Sequence, residues 1–419
     1  MNAIYRILKF PKEVRLDIDA NWLVMGVLCL GMIPNVLAGY SMYLLFLLAP
    51  LLFKTNYDLR SVVVLLFGFL YTFAIVYRNE EMFMAKYVFL LIYPIIIFQA
   101  GRYLGTQLKS LRTLTLLMAV LAFLMAFPTI VENVRDYIAT GQFVSTQRAL
   151  EVAKGHESGA TIYGITLSLA LGLSGVVLLS THDRFTVAVK FLCVGMALLA
   201  LFSTLHLVNR SGLYIAAFSV VMGAALPPFT RKRVFYALLI FAVAYAIFII
   251  YLETTPEIKE VFERYQYREE NENSTASLGG RDRQWHQGWE HLFNYPMGGG
   301  NSITYHGRSS YAHNAWLDCG AQGGVPALIM LLIMTFMYIW DCFRLLFYKT
   351  VNTFGRNLML MLAATFMVQF MVEPMIEAVI QYFWLWLFFW SAIHAYMDKH
   401  KDQDAEEYEE ARLAKLPDL

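Results

Sequence analysis

The sequence predicts an all-α integral membrane protein with about twelve transmembrane helices and one large, partly helical loop on the outer face. Three observations predict it. First, 58% of the 419 residues are hydrophobic and only 16% are charged, whereas a soluble domain carries roughly a quarter charged residues. Second, that charge falls in short clusters between apolar runs long enough to cross a bilayer, the pattern expected when lipid is the solvent. Third, Lys and Arg concentrate in alternate loops, as the positive-inside bias requires.

The apolar spans fall at about 22–37, 39–53, 60–77, 83–100, 112–130, 161–180, 185–204, 211–228, 233–252, 323–343, 357–375 and 379–397. The first two share one apolar run, divided at Pro34-Asn35 and Gly39, where the residue types favour a tight turn. With both ends inside, the inner loops collect Lys54 and Arg60; Arg102, Lys109 and Arg112; Arg184 and Lys190; Arg231, Lys232 and Arg233; and Arg344, Lys349 and Arg356. The tail adds Lys399 and Lys401, while the short outer turns are poor in base. The basic N-terminal stretch (Arg6, Lys9, Lys12, Arg15) precedes an apolar run too long for a signal peptide and without a small-residue cleavage site, so the first helix is expected to stay as an anchor.

This gives four regions: 1–252 with helices one to nine and a smaller outer loop near 131–160; the large outer loop 253–322; helices ten to twelve in 323–398; and an acidic inner tail, 399–419. The large loop is rich in aromatics (Tyr265, Tyr267, Trp285, Trp289, Phe293, Tyr295, Tyr305, Tyr311, Trp316), which disordered segments lack. Helices are expected over 255–269 and 281–293, separated by a break at Asn271 to Gly280. Met297 to Asn301 reads as a flexible turn, and Tyr311 to Gln322 as a third short helix. The net charge of +1 gives no field for nucleic acid. Cys29, Cys193, Cys319 and Cys342 form no CxxC pair, and no disulfide framework or zinc site is expected.

The polar residues that could carry chemistry gather at the outer face. Arg210 stands at the outer end of the seventh span, Arg281 and Arg283 follow Gly279-Gly280, and His313-Asn314 precedes the tenth span. Singly, each has a bland explanation: a snorkelling interface arginine, a solvated helix face, a structural histidine. Together they fit one reaction. Two arginines hold a diphosphate by bidentate, charge-assisted hydrogen bonds. A nearby imidazole takes a proton from an attacking hydroxyl, and the arginines stabilise the leaving diphosphate without a metal. Metal ligation by His286, His291, His306 and His313 is the rival, but none lies in an HExxH arrangement. Glu157, Glu373 and Glu377 read as turn carboxylates, or as partners that orient His313 or an arginine.

Four features together resemble the O-antigen ligase and O-antigen polymerase superfamily of bacterial envelope glycosyltransferases. They are Asn209-Arg210-Ser211 at a helix end; Ser277-Leu278-Gly279-Gly280-Arg281 opening a helix; His313-Asn314-x-x-Leu317 followed by Gly320, Gly323 and Gly324; and the large loop before the last three of twelve spans. The similarity is clearest over about 200–340. It implies inverting, metal-independent transfer of a glycan from undecaprenyl diphosphate to an acceptor hydroxyl, which in the ligase belongs to lipid A–core. It implies no cofactor, and a site on the periplasmic face of the bacterial inner membrane, with both termini cytoplasmic. Carried over by motif, Arg210 and Arg281 hold the diphosphate and His313 is the general base. Asn314, Arg283 and Glu373 are supporting candidates, Glu373 by position only.

Within the superfamily, polymerases often carry longer, repeated arginine loops, and protein O-oligosaccharyltransferases commonly run longer at the C-terminus. Both features are missing from this sequence, which favours the ligase. Outside it, a transporter would place ionisable residues near the bilayer midplane. A membrane O-acyltransferase would use the histidine but has less need of an arginine pair.

Overall fold

A computed structural model describes residues 20–34, 36–78, 85–143, 149–152, 156–207, 209–254, 256, 259, 281–298, 303–305 and 308–414. In chain order the helices are α1 (Ala20–Gly31), a 3-10 segment (Val36–Phe53), α2 (Leu59–Arg78), α3 (Ala85–Gln107), α4 (Leu111–Thr140) and α5 (Ala160–Leu171). A short 3-10 segment (Ser174–Leu178) is followed by α6 (Arg184–His206), α7 (Arg210–Ala225), α8 (Arg231–Thr254) and α9 (Arg281–Asn294). The last helices are α10 (Ala315–Leu346), α11 (Thr353–Val372), α12 (Met375–Ala378) and α13 (Ile380–Leu413). Two small antiparallel hairpins stand among them: β1 (Ala149–Val152) with β2 (His156–Gly159), and β3 (Ile303–Tyr305) with β4 (Arg308–Ser310).

Among the described residues, five helices are long and apolar enough to cross a membrane: Leu59–Val76 of α2, and α4, α6, α10 and α11. Shorter apolar stretches lie at Asn21–Gly31, Ser41–Phe53, Ile162–Leu178 and Ser211–Ala225. Several expectations change. The stretch 39–53 is a 3-10 rather than an α-helix, and 161–180 breaks after Leu171. The segment 131–140 belongs to α4, which ends at Gly141 with φ 69°, a left-handed cap that glycine adopts freely. The acidic tail is helical to Leu413. It is tied back by Tyr348 Oη donating to Asp404 Oδ2 at 2.8 Å and Lys349 Nζ to Glu409 Oε1 at 3.2 Å. The expected helix at 255–269 and the break at 271–280 lie almost wholly outside the described residues.

The first part of α13 is apolar all round, and a helix of that kind belongs in the interior. Its Trp384, Trp386 and Trp390 are fully buried. They pack edge-on against Tyr93 (4.9 Å between rings), Tyr338 (5.4 Å) and Phe98 (5.2 Å) respectively. Small residues let α3 cross it closely: a Cβ at Gly101 would lie 2.0 Å from Ser391 Oγ, and one at Gly105 2.3 Å from the Ala392 carbonyl oxygen.

One end of the bundle is closed by a buried ion network. Asp341 is 1% exposed and takes both Nε and Nη2 of Arg60 at 3.0 Å. It also accepts from Arg344 at 3.1 Å and from Trp390 Nε1 at 2.8 Å. His394 bridges Asp341 and Asp58, each at 3.4 Å, and Arg102 pairs with Asp58. Burial alone would raise the Asp58 carboxyl. Hydrogen bonds with His394 and Ser61, with the Arg102 charge, outweigh it and hold the group well below the usual carboxylate range.

The expected third loop helix forms as the first arm of α10, and the tenth span follows it as the second arm. At Gly324 (φ 75°, ψ 179°) the helix breaks and folds back. Trp316 Nε1 donates to Thr335 Oγ1 at 3.0 Å across 19 residues of chain, which a straight helix would hold about 28 Å apart. The turn at Met297-Gly298, expected to be flexible, is docked on this break. Gly298 has φ 78°, a Cβ there would lie 2.5 Å from the Gly324 nitrogen, and Val325 N–H donates to Pro296 O at 2.8 Å. Only glycine suits both positions.

Candidate functional site

His313 sits in the turn that opens the first arm of α10. Asn314 is the N-cap, its Oδ1 accepting from the N–H groups of Trp316 (3.2 Å) and Leu317 (3.1 Å). Asp318, 3% exposed in the first turn, reaches back over the cap. Its Oδ1 accepts the Ala312 N–H at 2.6 Å and its Oδ2 the Asn314 N–H at 3.0 Å. Between those two amides His313 takes φ 53°, and it is the single non-glycine residue with positive φ among the described residues. A left-handed residue with a Cβ costs about 1–2 kcal/mol and persists only where its surroundings hold it.

The imidazole reaches the end of α11. His313 Nδ1 lies 3.1 Å from Glu373 Oε2, with side-chain exposures of 21% and 2%. Glu373 is the C-cap of α11 (φ −144°, ψ 152°) and its N–H closes on Gln369 O. Pro374 follows, and a residue before proline is pushed into this extended region. The sequence thus stops α11 where its last carboxylate faces the histidine. An Nδ1–H donated to Glu373 leaves Nε2 as the ring nitrogen with a lone pair.

The element carrying Arg281 lies on the same turn. Trp285 of α9 packs against Ala312 and Leu317. Leu292 approaches Gly320 so closely that a Cβ there would lie 3.1 Å from Leu292 Cδ1. Gly320 and Gly324 therefore let the loop segment 281–298 press onto the arm that carries His313, whereas Gly323 makes room for the ring of Tyr71 on α2, 2.5 Å from where its Cβ would stand.

Arg210 opens α7. Asn209 caps that helix, Oδ1 accepting from Gly212 N–H at 3.0 Å and from Ser211 Oγ at 2.7 Å. The preceding turn is fixed by buried His206, whose ring nitrogens meet Asp136 Oδ2 at 2.8 Å and Phe143 O at 2.7 Å. The far end of α7 adjoins the start of α11, where Asn357 donates to Pro227 O. The two helices are antiparallel, so the first residue of α7 points to the Glu373 end of α11, away from the ion network.

Four elements therefore lie at one end: the α10 turn with His313 and Asn314 touches the α11 terminus through Glu373 and touches α9, the helix of Arg281 and Arg283, through Trp285, and the start of α7 with Arg210 lies at the same end. The side chains of Arg210, Arg281 and Arg283 lie outside the described residues. So do those of Glu157, on β2, and Glu377, in α12. Among the described residues, no three His, Cys, Asp or Glu side chains are grouped to hold a metal ion. Asp318 escapes a motif search. Its signal is an acidic residue one turn inside an Asn-capped helix, able to reach back to the cap as in a capping box.

Residues 169–332 match the family model described as O-antigen ligase. The matched segment holds His313, Asn314, Asp318 and the backbones of Arg210, Arg281 and Arg283, whereas Glu373 lies beyond it. No curated protein matches the chain.

Proposed function

We propose that this chain, whose residues 169–332 belong to the O-antigen ligase superfamily, transfers a glycan from undecaprenyl diphosphate to a hydroxyl of lipid A–core, with inversion and without a metal. The observation that carries the reading is the His313–Glu373 pair, 3.1 Å apart, at the end of the bundle to which α7 and α9 bring Arg210 and Arg281. Glu373 accepts a hydrogen bond from Nδ1–H and sets the tautomer, so Nε2 takes the proton of the acceptor hydroxyl as its oxygen attacks the anomeric carbon. The bond from that carbon to the diphosphate oxygen breaks in the same displacement. The electron pair leaves with undecaprenyl diphosphate, whose charge Arg210 and Arg281 balance. Glu373 also stabilises the imidazolium that forms. Asn314 caps the helix behind the base, and Arg283 is a second contact for the donor.

The layout is twelve spans in the bacterial inner membrane, with this end periplasmic and both termini cytoplasmic. The positive-inside bias supports it, because the basic residues of alternate loops, Arg60, Arg102 and Arg344 among them, gather at the opposite end. Lipid tails of donor and acceptor then stay in the bilayer while the loop aromatics face the sugars.

The test is reconstitution in lipid with an undecaprenyl-diphosphate glycan and lipid A–core, in the presence of EDTA. The expected product is lipid A–core shifted to a glycan ladder, and none with His313→Ala. Longer undecaprenyl-linked chains with lipid A–core untouched would replace the ligase by a polymerase. Ladder formation that survives His313→Ala would overturn the mechanism.

A further inference from the structure

Asp318 is absent from the mechanism above, yet its carboxylate is buried and spends one oxygen on each of the two amides that flank His313. An ordinary first-turn carboxylate faces solvent and complements the helix dipole. This one closes a ring around a single residue, from Ala312 N–H through the carboxylate to Asn314 N–H. The residue inside the ring carries the left-handed strain and has its ring nitrogen on Glu373.

We infer that Asp318 is a positioning residue for the transfer: it locks the left-handed backbone of His313 and so aims the imidazole between Glu373 and the acceptor. The inference rests on the assignment of His313 as the base. Asn in place of Asp keeps the size, but its amide nitrogen cannot accept a hydrogen bond. One flanking N–H is then left buried and unpaired, and the turn relaxes toward ordinary φ. A misplacement of about 1 Å at a reacting group costs on the order of 100-fold in rate.

In Asp318→Asn, kcat for glycan transfer is expected to fall about 10- to 100-fold while KM for the lipid-linked donor stays within about twofold, since the diphosphate contacts are elsewhere. Unfolding temperature supplies a readout independent of activity. Glycine takes φ near 53° without help. The thermal loss caused by Asp318→Asn should therefore be smaller in the His313→Gly background than in the His313→Ala background. An equal loss in the two backgrounds, or failure to fold in both, would make Asp318 a plain helix cap and end the inference. So would kcat within threefold of the intact protein while His313→Ala is inactive. Turnover surviving in His313→Ala would instead remove the base assignment itself.

Discussion

Replacing Glu373 by Gln isolates what the carboxylate gives to His313. The substitution keeps the shape of the side chain, the extended cap conformation and the close of α11 on Gln369. It removes one negative charge 3.1 Å from His313 Nδ1 in a place where Glu373 is 2% exposed. A hydrogen bond to a charged partner contributes roughly 1.5–3 kcal/mol, and here its value rises as the imidazole becomes an imidazolium in the transition state. At about 1.4 kcal/mol per decade, kcat should fall about 10- to 150-fold. Donor KM should change little, because the proposed role of the carboxylate is to serve the base and not to bind the diphosphate. The assay is single-turnover transfer of a labelled glycan to lipid A–core in proteoliposomes at saturating donor. Glu373→Asp, which keeps the charge but shortens the reach, should lie between the two. A Gln variant within threefold of the intact enzyme would refute the argument that this contact orients and stabilises the base.

Arg210→Ala and Arg281→Ala should each raise donor KM and lower kcat/KM by about 10-fold or more, with Lys restoring only part because it lacks the planar fork; titration with the lipid-linked donor measures this. Gly324→Ala should destabilise the docked loop: φ 75° alone costs a Cβ about 1–2 kcal/mol, and that Cβ would lie 2.5 Å from the Met297 carbonyl carbon. Protease cleavage near 297 should quicken before the bundle unfolds. Asp341→Ala leaves Arg60 and Arg344 without their shared buried carboxylate and should cost about 3–5 kcal/mol, read as a fall in unfolding temperature in detergent with donor KM unchanged.

The hydropathy pattern made most of the helices legible, and the helix at 281–293 could be read from Arg281, Trp285 and Trp289 one turn apart. The breaks were harder to see. The boundary at Gly324 could be read, between a short helix ending at Gln322 and a span beginning at 323, but not that the two arms double back; the reason is tertiary, the packing of Gly298 against Gly324. In the same way α4 extends to Thr140 because His206, distant in sequence, holds Asp136. His313 was a candidate from its motif, but its contact with Glu373 spans 60 residues and could be suggested by position alone. Asp318 was passed over because a single acidic residue in a helical turn looks ordinary until the two amides it binds are known.

The doubling back of α10 bears on a competition that any glycan transferase faces, between a sugar hydroxyl and water. The arm that opens with His313 does not project away from the bundle but returns along its own helix, bringing Trp316 against Thr335 and against Phe370, 5.7 Å between rings. The turn that carries His313, the proposed base, is thereby held against the bundle, with 21% of the histidine side chain exposed. A water molecule entering alone gains little there, whereas an acceptor arriving on its own lipid anchor brings a hydroxyl that displaces water as it docks. The same fold that shapes the active turn would thus favour transfer over wasteful hydrolysis of the lipid-linked donor.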